Sequence, residues 1–146
     1  MDPRNAALAD VLVNYSCAVK KGEKLLVEAN GFEPLELVEQ IVKIATKKGA
    51  QVYYDIHHDR LTRAFLLEAS EEQIKAQKKY PLYRMKDMDC YIGVRGGDNI
   101  AELSDVPSQK TGWYATHYRK PVHLGVRVPK TRWVVLRYPN NSMAQS

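Results

Sequence analysis

Between Ala6 and Val19 the apolar residues Leu8, Val11, Leu12, Tyr15 and Val19 recur at steps of three and four, which predicts an amphipathic helix. Pro3 suits its first turn, and Lys20-Lys21-Gly22 offers cations and a glycine for its C-terminal end. Lys24 to Ala29 is a short apolar run and reads as a strand, broken by Asn30-Gly31-Phe32. Glu33-Pro34 opens a second helix with a buried stripe at Leu35, Val38, Ile41, Val42 and Ala45, and Lys47-Lys48-Gly49 closes it. Gln51 to Ile56 is the next strand. Strand, helix and strand within about thirty residues form a βαβ unit with parallel strands.

Leu61 to Glu68 predicts a short helix, and Ser70-Glu71-Glu72-Gln73 is a capping box for another that runs to Lys86, with Pro81 kinking or splitting it. Asp89 to Val94 predicts a third strand ended by Gly96-Gly97, and Asp98 to Leu103 one or two helical turns. A helix is expected over 107–119. Residues 120–130 stay open: alternation at Leu124, Val126 and Val128 favours strand, whereas Trp113, His117 and Lys120-Pro121 suit a helix. Trp133 to Tyr138 predicts a final strand with Trp133 and Tyr138 in the core, ended by Pro139-Asn140-Asn141. The sum is a single three-layer α/β domain over 1–146, with a mainly parallel sheet of about four strands and helices on both faces.

Composition narrows the class. An apolar fraction of 45% supports a folded core, and no apolar run is long enough to cross a bilayer, so no membrane partner is expected. The polar start Met1-Asp2-Pro3-Arg4 and the two cysteines, Cys17 and Cys90, lead to a cytoplasmic, reducing location as the expectation. Charge is uneven. Residues 1–72 carry nine basic and twelve acidic side chains, net −3, and residues 73–146 carry thirteen and five, net +8. Such asymmetry fits a solvated basic face, a nucleic acid or an acidic partner surface.

Candidate chemistry is sparse. The turn after the first strand has one glycine, no lysine and Glu33 at the helix mouth, which does not suit a phosphate cradle. Asp55, His57, His58 and Asp59 cluster past the second strand, but adjacent histidines point in different directions, and His117 and His123 look isolated. Both cysteines read as core thiols. Asn30, Asp55, His57 and Arg95 belong near the carboxyl ends of the strands, where open α/β sheets bind ligands. Trp113, Tyr114, Tyr118, Arg119, Lys120, Arg127, Lys130, Arg132 and Arg137 interleave aromatic and basic residues. A stand-alone RNA-binding or protein-interaction module on this half is therefore the alternative reading, although no RNA-binding consensus is present and nucleic acid is not the expected partner.

Three segments carry a resemblance: VNYSCAVKKGEKLLVEA at 13–29, ASEEQIKAQKKYPLYRMKDMDCYIGV at 69–94 and, above all, RWVVLRYPNNSMAQ at 132–145. They resemble the N-terminal domain of the aminopeptidase T family of metalloaminopeptidases, over Leu8 to Gln145. The resemblance implies a two-domain enzyme that removes N-terminal residues from peptides. Its C-terminal domain holds paired divalent ions (zinc, cobalt or manganese) that polarise the scissile carbonyl, with a carboxylate as general base. It further implies that this stretch carries no metal ligand and no catalytic residue, and that it would be inactive alone. Its partners would be its own catalytic domain, a second copy in a homodimer and the peptide substrate. Asn30, Arg95, Trp113, Tyr114 and Arg137 are the candidate cavity or interface residues, with Val122 and Leu124 on the same face. Since the family continues past the position of Ser146, a missing catalytic domain is the expectation.

Overall fold

The strand β1 (Lys24–Asn30) runs Leu25-Leu26-Val27 without a polar break because both its faces are covered, as in a central parallel strand. In the computed structural model, which describes residues 2–96 and 103–138, it pairs with β2 (Gln51–His57) on one side and β3 (Cys90–Arg95) on the other, and β3 pairs with β4 (Arg132–Arg137). All pairings are parallel, in the order β2-β1-β3-β4. The expected α/β architecture, with helices on both faces, is therefore present.

The two-residue period of a strand divides the core. Leu25, Val27 and Ala29 of β1 and Cys90, Ile92 and Val94 of β3 belong to one cluster, completed by α1 (Pro3–Val11) and α2 (Leu35–Lys47). Leu26 and Tyr91 belong to a second cluster with Met85, Met88, Val122 and Val126. The helices here are α3 (Asp59–Glu68), α4 (Glu71–Ala76), α5 (Lys79–Lys86) and a long helical run over 108–130. A small satellite cluster, Leu66, Ala69, Ile74 and Val106, joins α3 and α4 to the start of that run. Among the described residues no helix is long and apolar enough to cross a membrane.

Several expectations need correction. The first helix ends at Ser16, because α1 widens into π-type winding over Leu12–Ser16, with the Cys17 N–H on the Leu12 carbonyl at 3.0 Å. The buried positions become Asn5, Ala9, Leu12, Val13 and Cys17, while Tyr15 is 84% exposed. Ala18 then turns the chain at φ 45, and Lys20-Lys21-Gly22 lies in the following loop. In α2 it is Leu37, not Leu35, that is buried, one step round the stripe. The helix expected over 71–86 breaks at Gln77–Lys78, ahead of Pro81, which sits in the first turn of α5 where its missing N–H is harmless. Residues 120–130 are helical: α6 (Ser108–Tyr114) passes into π-type winding over Ala115–Arg127, ending in α7 (Val128–Lys130). Trp133 is not in the core. It lies on the edge strand, 42% exposed. Of the turns expected over Asp98 to Leu103, residues 98–102 lie outside the described residues.

Candidate functional site

At the carboxyl ends of the strands, on the face covered by the 108–130 helix, the sheet and helix enclose a cleft of about 380 Å³. Its floor is Glu28 and Asn30 of β1 and Tyr91 and Gly93 of β3, and His57 of β2 closes one side. The roof is Tyr114, Tyr118, His123 and Arg127, with Arg119 and Leu124 beside them. Steps of four, five and four between the first four residues do not share a face of an ordinary α-helix, but the wider π winding aligns them. The turn after β1 is stitched to its neighbours: the Gly31 N–H donates to the His57 carbonyl at 2.7 Å, and the Gly96 N–H donates to the Asn30 carbonyl at 2.7 Å.

Glu28 is the chemical centre of the floor. Its side chain is only 13% exposed, and its Oε2 lies 2.9 Å from His57 Nε2. The Tyr91 hydroxyl also bonds this carboxyl. Gly93, opposite Glu28 in the β1–β3 register, makes that reach possible. A β-carbon there would stand 2.9 Å from the Tyr91 ring, so the glycine leaves the ring room to lie along the strand. Burial alone would raise the carboxyl, but the hydrogen bond and charge of His57 and the Tyr91 hydroxyl outweigh it and hold Glu28 below its ordinary range. The same hydrogen bond lifts His57 above its ordinary value, against its own burial. Burial beside Glu28 keeps Tyr91 protonated, a donor.

The opposite wall is cationic. Arg127, 8% exposed, lies between two rings, with Cζ 5.1 Å from the centroid of Tyr91 and 4.7 Å from that of Trp133. Its Nε donates to His123 Nδ1 at 2.8 Å. Burial pulls His123 down to about 4, with Glu28 opposing and the charges of Arg127, Arg119 and Arg95 adding to the shift. A neutral His123 whose Nδ1 accepts carries its proton on Nε2. Tyr114 and Tyr118 stack at 4.9 Å with planes 7° apart.

One group of three metal-type donors occurs among the described residues: Glu28, Asp55 and His57, with atoms within 4.8 Å of one another. Arg84 is ion-paired to Asp55 and stands 3.7 Å from Glu28 Oε2, so a guanidinium already supplies the counter-charge. A catalytic ion pair needs more donors and no resident cation, and this group does not fit one.

The residues singled out from the sequence separate. Asn30 and Arg95 line the cleft, and Asn30 donates from Nδ2 to Asp59 Oδ1 at 3.1 Å. Tyr114 and Leu124 line it as well. Trp113 instead packs on the satellite cluster, Val122 is buried in the core at 1% exposure, and Arg137 is exposed on β4 beside Arg95 in register. His58 turns away to cap α3, where its Nδ1 accepts from the Arg60 N–H at 3.1 Å. His117 is not isolated, standing 3.0 Å from Glu71, and neither is His123. Cys17 and Cys90 are buried thiols, pushed up by burial to about 11 and about 12. The basic stripe is not continuous either. Arg127 is internal, and Arg132 donates to the Cys17 carbonyl at 2.9 Å and pairs with Glu23. Glu28, Tyr91 and Tyr118 escaped notice as cleft residues. The available signal was a single acid inside an apolar parallel strand.

The family model of the thermophilic metalloproteases (M29) matches residues 1–146. Among solved structures, wild-type AmpT from Thermus thermophilus is similar at a TM-score of 0.74 and 20% identity, over 99% of this chain and 38% of that one. At that identity the likeness is one of fold. The chain spans well under half of AmpT. No curated protein matches the sequence.

Proposed function

Since the chain belongs to the thermophilic metalloprotease family M29, we propose that it serves as the non-catalytic N-terminal domain of a metal-dependent aminopeptidase, walling the cavity through which peptides reach a catalytic domain. The observation that carries this reading is the family match over the entire chain, on a piece that corresponds to 38% of the length of AmpT. The donor group at Glu28, Asp55 and His57 supports it, because a resident guanidinium and a single imidazole suit a structural ion-pair network better than a metal pair. In this reading divalent ions (zinc, cobalt or manganese) belong to the catalytic domain, and the homodimer and interdomain contacts fall to exposed residues such as Arg137. Asn30, Arg95 and Tyr114 act on the cavity side.

The test is direct. The purified 146-residue chain, given zinc, cobalt or manganese, should release no product from a leucyl chromogenic substrate in a continuous absorbance assay. Steady turnover that survives repurification and stops with a chelator would overturn the non-catalytic assignment.

A further inference from the structure

Arg127 is placed as few arginines are. It is 8% exposed, its plane is fixed between Tyr91 and Trp133, and its Nε is committed to His123, yet its Nη1 is buried without a hydrogen-bond partner among the described residues. A buried guanidinium N–H left unfilled is costly, and it marks where an acceptor from outside would complete the shell. Arg127 lines the cleft, and so do Arg119 and Arg95, neither of which has a carboxylate partner among the described residues. Of the described carboxylates that line the cleft, Glu28 is held by His57 and Tyr91, and Asp59 accepts from the Asn30 amide. Among the described residues the cleft therefore presents guanidinium groups, Arg119 and Arg95, that no carboxylate pairs.

We propose that this wall is an oxyanion site that takes the C-terminal carboxylate of a short peptide, gripped by Arg127 and steered by Arg119 and Arg95 at the mouth. A carboxylate matches the planar guanidinium fork, and the Nε2–H of a neutral His123 adds a further donor. The three arginines around His123 also favour that neutral, donating form. The stacked Tyr114 and Tyr118 give the rest of a peptide an apolar surface, and about 380 Å³ suits a small ligand. The oxyanion chemistry stands on the geometry, whereas its peptide source rests on the peptidase reading above.

Calorimetric titration of the 146-residue chain with trialanine, with trialanine amide and with inorganic phosphate separates the outcomes. Tryptophan fluorescence, to which Trp133 beside Arg127 contributes, gives a second readout. Trialanine should bind, and its amide should bind about tenfold more weakly or worse, because only the acid offers a charge-assisted pair. Arg127→Gln should abolish binding. Arg119→Gln, at an exposed position, should weaken it and flatten its salt dependence. Equal affinity for acid and amide, or no binding of either acid or phosphate, would overturn the site. Binding of phosphate without trialanine would keep the oxyanion site and overturn its peptide ligand. Because the readout is binding, a negative result leaves the peptidase assignment intact, which turnover and metal dependence decide.

Discussion

Glu28 turns the middle of a hydrophobic strand into a polar floor, and the two histidines on either side of it respond in opposite ways. His57 gains a carboxylate partner and is raised, whereas His123 is buried among arginines and lowered to about 4. The raised His57 stabilises the fold fully below its unfolded value near ~6.5, and that contribution fades as pH climbs through its higher folded value. The lowered His123 works the other way. The fold is unpenalised above ~6.5 and loses stability as pH falls toward about 4, where only the unfolded chain takes up the proton. Proton NMR titration of the two imidazoles should show His57 charged and His123 neutral at pH 6. A His123 that titrates above ~6.5 would contradict the cationic wall. Little of this was legible in the sequence. Asp55, His57, His58 and Asp59 stood out by proximity along the chain, yet the partner of His57 is Glu28, twenty-nine residues earlier and on another strand. Only the β1–β2 register, which sets Glu28 beside Asp55, unites them.

Among the elements, strands read well and helices less so. The run KLLVEA is unambiguous because a covered parallel strand needs continuous apolar residues, and WVVLRY reads as a strand from its β-branched and aromatic content although it lies at the sheet edge. The ends of α1 and the 108–130 helix did not follow from periodicity, because both wind wider than the period used to find them. What anchors the end of α1 is a long-range contact. Arg132, at the start of β4, donates to the Cys17 carbonyl and pairs with Glu23, holding the turn at Ala18 against the sheet. Arg132→Gln should therefore destabilise the chain by about 1–2 kcal/mol, the value of a charge-assisted bond reduced for partial exposure, measured by urea unfolding. A change below about 0.3 kcal/mol would show that the clasp is ornamental.

For the whole molecule, the sheet order puts the two cysteines at the inner end of one core, each with no exposed surface and with its thiol pushed up. Thiol labelling should thus report global opening. In native buffer neither should react appreciably, and in denaturant both should label together as the tertiary signal is lost. Labelling of Cys17 alone, at a rate independent of denaturant, would reveal that α1 peels off by itself. The overall class followed from the alternation of strand and helix along the chain. The cleft did not, because its walls come from separate segments, β1, β2, β3, β4, α3 and the 108–130 helix among them, whose meeting depends on tertiary packing.

The wide winding over Ala115–Arg127 has a consequence for how this protein tolerates changes in length. Losing one residue there with the winding unchanged would turn every downstream side chain by one residue step around the helix. Val126 would leave the core and Arg127 would lose its two rings, so the cleft would vanish from a fold that still looked intact. Substitutions can accumulate along this helix, but its residue count is pinned by the cavity it roofs.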